Sequence, residues 1–152
     1  MAIFRPEDFG AKGDGRTYDT VPIQETIDRA HRQGGGIVVL EGGRTYLCGT
    51  IRLRSHVELH IAMGAVLLAS PDLDAYLALG AVDDDTNRRT GTPVTRKPAY
   101  VFVYAMDCEH VAITGLGRID GNGGSFVSRV DRYYVTGTFY PRPTRPFAVC
   151  SG

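Results

Sequence analysis

His56-Val57-Glu58-Leu59 returns as His110-Val111-Ala112-Ile113, an offset of 54 residues. Apolar residues fall at alternate positions in both copies, the pattern of a half-buried strand. At the same offset, Gly64-Ala65-Val66-Leu67 falls opposite Arg118-Ile119 and its neighbours. Tyr100-Val101-Phe102-Val103-Tyr104 occupies the place of Ile51-Arg52-Leu53. Between the copies lies Pro71 to Pro98, rich in Asp, Arg, Thr and Pro, which reads as an excursion. Taking those 28 residues from the offset of 54 leaves a period of 26, about one turn of a β-solenoid. A third block starts at Arg145-Pro146-Phe147-Ala148-Val149-Cys150, and the chain stops inside it.

Upstream of the first copy, short strands punctuated by glycine are predicted at Thr45–Cys48, Thr50–Leu53, Val57–Ile61 and Ala65–Leu68. They follow too closely for βαβ crossovers, which need a helix between parallel strands. The one helix predicted is Thr20 to Gln33. Ile23, Ile27 and Ala30 share a face at i, i+4 and i+7, whereas Glu25, Asp28, Arg29 and Arg32 point elsewhere. Asp19 or Thr20 is placed to cap its start, and Pro22 sits in the first turn, where amides lack helical partners. Gly34 is placed to end it in a left-handed conformation. Ile37-Val38-Val39-Leu40 then reads as a strand buried on both faces. A single helix feeding a run of strands is expected to act as a lid on the open end of the stack. Ahead of it, Asp8 to Gly15 is rich in Gly and Asp and reads as a turn. It lacks the preceding strand and the Lys-Ser/Thr pair of a phosphate cradle.

The 152 residues suffice for one domain with a core. Zero formal net charge gives no electrostatic basis for binding nucleic acid or an anionic membrane. No apolar run reaches the length of a membrane span. Met1 to Pro6 is not a signal peptide, which leaves a cytoplasmic protein or a secreted one whose leader has been removed. Cys48, Cys108 and Cys150 are odd in number with no CxxC, and are expected to be buried reduced thiols.

Asp8-Phe9-Gly10-Ala11-Lys12-Gly13-Asp14-Gly15, with Asp19-Thr20, Ile23-Gln24, Ile27-Asp28 and Gly34-Gly35-Gly36, resembles the start of the pectin-degrading β-helix proteins. That start is shared with lyases, epimerases and phage tailspikes, so it specifies fold better than chemistry. Val111-Ala112-Ile113-Thr114-Gly115-Leu116-Gly117-Arg118-Ile119-Asp120-Gly121-Asn122-Gly123 and Arg145-Pro146 resemble the polygalacturonase branch, the family 28 glycoside hydrolases. The resemblance implies an all-β fold, a right-handed parallel β-helix with one short amino-terminal capping helix. Residues 1–152 then form a single incomplete domain, with the cap at about 20–33 and excursions at about 71–98 and 122–145.

The resemblance also implies hydrolysis of galacturonide linkages in pectin by inversion. One carboxylic acid protonates the leaving oxygen, while carboxylates across the bond activate water. The family carries this chemistry in Asn-Thr-Asp, Asp-Asp, Gly-His-Gly and Arg-Ile-Lys motifs on later turns. The first, third and fourth do not occur here, and Asp83-Asp84-Asp85 lies in the polar excursion. No catalytic residue is therefore assigned, and the chain alone is expected to be inactive. The alternatives are a non-catalytic β-helix module for carbohydrate binding or assembly, tailspike-like, or a β-helix lyase or epimerase.

Arg142, Arg145 and Tyr140 are the candidate substrate contacts. They lie in a segment where arginines alternate with aromatics, and guanidinium forks suit uronate carboxylates as aromatic faces suit sugar rings. Asp120 is expected to bond turn amides at a solenoid corner. His31, His56, His60 and His110 show no metal spacing; His56 and His60 share a strand face at i, i+4, and His56 and His110 occupy equivalent repeat positions, which suggests a turn role. Asp83 to Asp85 reads as a solvated loop rather than a calcium site. Neither cofactor nor metal is expected. A solenoid cut within a turn leaves unpaired strand edges, so self-association through the open carboxyl-terminal end is expected.

Overall fold

A computed structural model describes residues 2–82, 97–123 and 147–151. The strands are β1 (Ile3–Phe4), β2 (Asp14–Tyr18), β3 (Gly36–Leu40), β4 (Thr45–Cys48), β5 (Ile51–Arg52), β6 (Val57–Ile61) and β7 (Val66–Ala69). They continue with β8 (Leu77–Val82), β9 (Lys97–Ala105), β10 (Ala112–Thr114), β11 (Arg118–Asp120) and β12 (Phe147–Ser151), and α1 spans Thr20–Arg32. Three parallel sheets result: β1-β3-β6-β10, β2-β4-β7-β11 and β5-β9-β12. Each step along a sheet is one further turn of the chain, which is the definition of a solenoid. Among the described strands, β8 alone is antiparallel, pairing with β9.

The repeat is real but shorter than 26. Gly36 pairs with Val57 and Thr45 with Val66, so an uninterrupted turn takes 21 residues. The excursion is correspondingly longer, because it includes β8 and a nine-residue β9 where the previous turn has only the two residues of β5. Ala112 pairs with Glu58, as the offset of 54 requires. Arg118, however, pairs with Val66 rather than Gly64, an offset of 52. The corner Gly115-Leu116-Gly117 is two residues shorter than the stretch Ile61 to Ala65 beneath it. That short corner presses directly on the previous turn. A methyl group on Gly115, whose φ is +100°, would overlap the Ile61 carbonyl oxygen.

The lid forms as the periodicity predicts. Ile23, Ile27 and Ala30 are fully buried, and Thr26 joins them with its hydroxyl donating to the Pro22 carbonyl at 2.6 Å. Fully burying each isoleucine contributes about 1.5–3 kcal/mol. Gly34 ends the helix at φ +89°, and the Gly35 amide returns to the Ala30 carbonyl at 2.9 Å. The amino end differs from expectation. Neither Asp19 nor Thr20 bonds the helix amides with its side chain. The buried Asp19 carboxylate instead accepts from the amides of Lys12 (2.8 Å) and Gly13 (2.9 Å), and the Thr20 hydroxyl accepts from the Gly49 amide at 2.9 Å. A buried charge must be hydrogen-bonded, and the leading turn supplies those donors. That turn also runs into a strand, since β2 pairs with β4.

In β3, Val38 and Leu40 are buried while Ile37 and Val39 are only half-buried, so the strand has one core face rather than two. Cys48 is buried and free; burial, reinforced by the nearby Asp19, pushes its thiol pKa upward. Cys108 is also free but half-exposed, contrary to the expectation of burial. No helix among the described residues is long and apolar enough to cross a membrane.

Candidate functional site

Arg142, Arg145 and Tyr140 lie outside the described residues, as do Asp83 to Asp85. Asp120 is described and serves as a corner residue. Its Oδ1 accepts from the Asn122 amide at 2.8 Å, while the Asn122 side chain donates to the Ala69 carbonyl of the previous turn at 3.1 Å. Among the described residues no group of three or more His, Cys, Asp or Glu is placed to hold a metal ion.

Polar side chains do converge on the outer face of the first sheet. Alternation along β6 turns Val57, Leu59 and Ile61 inward and leaves Glu58 and His60 outside. The register sets Thr114 of β10 beside His60. The Thr114 hydroxyl donates to Glu58 Oε1 at 2.5 Å and meets His60 Nδ1 at 2.9 Å. A hydroxyl has one proton, so with that proton on Glu58 it is His60 Nδ1 that carries the hydrogen of the second contact. This trio was not singled out from the sequence. The usable signal was the repeat itself, which sets Thr114 54 residues after His60.

At the amino end of the same sheet, Gly35, His56 and His110 stand at one corner in successive turns, with φ of +118°, 64° and 55°. His56 therefore belongs to the corner and not to the face that carries His60. The turn role of both histidines follows from their left-handed backbones, and the His56 amide donates to the Glu109 carbonyl at 3.0 Å. The two imidazoles stack with centroids 5.2 Å apart and planes inclined by 23°. Glu109 Oε1 lies 3.8 Å from His56 Nε2, and His31 of α1 meets the Ser55 carbonyl at 3.0 Å. A groove of about 560 Å³ runs between this corner and the end of α1, with Glu58 on its wall.

A second polar cluster braces the leading turn. Tyr46, buried in the core, donates its hydroxyl to Glu7 and accepts from the Glu41 amide at 3.0 Å, with Arg44 3.6 Å from Glu7. Burial, then the bond to Glu7, raises the Tyr46 pKa, so the phenol stays protonated. This is a pin between turns rather than a reactive group.

The geometry can be set against known proteins. The structure superposes on the family 28 exopolygalacturonase of Yersinia enterocolitica with a TM-score of 0.64 and 31% identity, covering 91% of this chain and 24% of that one. The exo-poly-alpha-D-galacturonosidase of Dickeya chrysanthemi is 33% identical over 119 residues, 76% of this chain and 19% of that protein. The chain is polygalacturonase-like. Its solenoid is the right-handed parallel β-helix anticipated from the motifs. The polygalacturonase-like chain spans less than a quarter of the length of these two relatives. No family profile matches it. A shorter stretch of 44 residues is 57% identical to the capsule KN3-specific depolymerase 1 of Klebsiella phage KN3-1, covering 29% of this chain and 6% of that protein.

Proposed function

We propose that this polygalacturonase-like chain is part of a glycoside hydrolase that cleaves galacturonide linkages in pectin-type polysaccharide by inversion. The observation that carries the reading is the likeness to two galacturonide-degrading exo-enzymes at 31% and 33% identity over most of the chain. An inverting enzyme needs an acid and a base far enough apart to admit water. The 152 residues contain none of the family's Asn-Thr-Asp, Gly-His-Gly or Arg-Ile-Lys motifs, so their part is scaffold and substrate contact. Arg142, Arg145 and Tyr140, shortly before or adjoining the start of β12, are the proposed contacts for uronate units, and residues 1–152 form one β-helix domain. Nucleic acid and membrane are not partners in this reading. The isolated chain self-associates through β10 and β11, whose outer edges have no strand partner among the described residues.

The test is reducing-end release from polygalacturonate. The purified 152-residue chain should release none, and a longer protein with Asn-Thr-Asp and Gly-His-Gly downstream should release it. Activity of the isolated chain that Asp120→Asn abolishes would overturn the proposal. Arg142→Ala should leave folding intact and weaken binding of oligogalacturonide. The depolymerase likeness favours one other reading, a tailspike-like polysaccharide-binding module. A protein that binds capsular polysaccharide and leaves polygalacturonate uncut would establish that reading instead.

A further inference from the structure

We propose that the groove between the end of α1 and the His56–His110 corner binds a neutral sugar, at a site separate from the galacturonide contacts proposed above. Three features converge there. First, polar groups around it lack protein partners. Among the described residues, the Gln33 side-chain amide and the His110 ring nitrogens make no hydrogen bond, and Glu58 uses only Oε1, on Thr114. Thr114 fixes the Glu58 carboxylate and leaves Oε2 to accept a hydroxyl. These groups offer donors and acceptors at several angles, as a ring bearing several hydroxyls requires.

Second, the stacked imidazoles and the backbone of Gly34 to Gly36 give the groove a flat, side-chain-poor wall. The groove's volume of about 560 Å³ is in the range of small-ligand sites.

Third, the electrostatics select against a uronate. No Lys or Arg lines the groove. Glu58 is on its wall and Glu109 lies 3.8 Å from His56, while Arg29, His31 and Arg32 in the last turn of α1 offset the partial negative charge of that helix end. A carboxylate ligand wants an arginine or lysine in direct contact, and the residues lining this groove offer Glu58 instead. An uncharged, hydroxyl-rich ring meets no such opposition.

The choice of a sugar rests on the polysaccharide reading of the protein; the choice of a neutral one rests on the groove. The experiment uses the 152-residue protein with galactotetraose and trigalacturonate as probes, following the histidine ring resonances by NMR and affinity by calorimetry. Galactotetraose should shift the His56 and His110 resonances and leave His31 unmoved. His110→Ala and Gln33→Ala should each weaken it at least tenfold; Gln33 is exposed, so its variant keeps the fold if His110→Ala does not. Trigalacturonate should not shift the corner histidines. No shift with galactotetraose, unchanged affinity in Gln33→Ala, or trigalacturonate binding equally well at the corner would overturn the site. Such a failure leaves hydrolysis of polygalacturonate by the longer protein untouched, so the two proposals fail separately.

Discussion

The first solenoid turn and the corner between the second and third turns meet the same requirement by opposite means. Strand amides and carbonyls need partners, and neither β2 nor β5 has a strand on its amino-terminal side among the described residues. Side chains stand in for one. The Gln24 side-chain amide pairs with Arg52 of β5 in both directions, accepting from its N–H at 2.8 Å and donating to its C=O at 3.0 Å. The Asp14 carboxylate accepts from the amides of Arg16 (2.9 Å) and Thr17 (2.7 Å) in β2. Higher up, the next turn of backbone supplies the partners, and the requirement becomes room. Gly117 donates its amide to the Ile61 carbonyl at 2.9 Å only because Gly115 and Gly117 carry no side chains against Ile61. An end is closed by adding polar side chains, and a corner by removing them.

The largest effect should come from breaking the lid. Ile27→Asp places a carboxylate at a fully buried position without a partner and should cost about 4 kcal/mol or more, unfolding or aggregating the chain. Val21→Asp on the same helix, 65% exposed, should stay within about 0.5 kcal/mol by chemical denaturation. Equal effects would mean that α1 does not cover the core.

Gly115→Ala comes next, at about 2–3 kcal/mol, combining left-handed strain with overlap on Ile61. Gly10 has nearly the same φ, +99°, but open space around it, so Gly10→Ala should show the strain alone, at about 1 kcal/mol. If the two variants match, the close approach at the third turn contributes nothing.

Gln24→Ala should cost about 1–2 kcal/mol and, by baring the edge of β5, raise association measured by sedimentation. A variant as stable and as dispersed as the parent would remove the stand-in strand from the account.

The smallest effect is a pH dependence. Bonds from the Thr17 amide, then the Arg16 amide, hold the exposed Asp14 carboxyl down to about 2. Because the folded value lies below the unfolded one, near 4, the stabilisation is present above about pH 4 and is lost as pH falls towards 2. The stability gap between parent and Asp14→Asn should be constant near neutrality and shrink across that window in thermal melts. A gap independent of pH would show that the turn does not hold the charge.

Much of this was legible in linear form. Strands with alternating apolar residues, such as Val57–Ile61, declare themselves because burial on one face imposes a period of two. The helix face of Ile23, Ile27 and Ala30 is equally explicit, as is the pairing of Glu58 with Ala112 at an offset of 54. Less legible was anything set by two distant segments meeting. Asp19 looks like a helix cap, yet the amides that reach it belong to Lys12 and Gly13. His56 and His60 look like neighbours on a strand, but a left-handed corner separates them. The groove at Gln33, Glu58 and His110 joins three elements with no shared motif.

Taken by itself, the sequence determined the kind of structure: a coil of short parallel strands closed at one end by a helix, polygalacturonase-like in its motifs. Local periodicity and glycine placement suffice for that, because they follow from which residues avoid water and which allow tight turns. The tertiary structure alone decided the turn length of 21, the two-residue shift at the Gly115 corner and the partners of Gln24, Asp19 and Glu58. Those depend on where one turn lies on another, and that position is set by hydrogen-bond register between strands 21 to 54 residues apart.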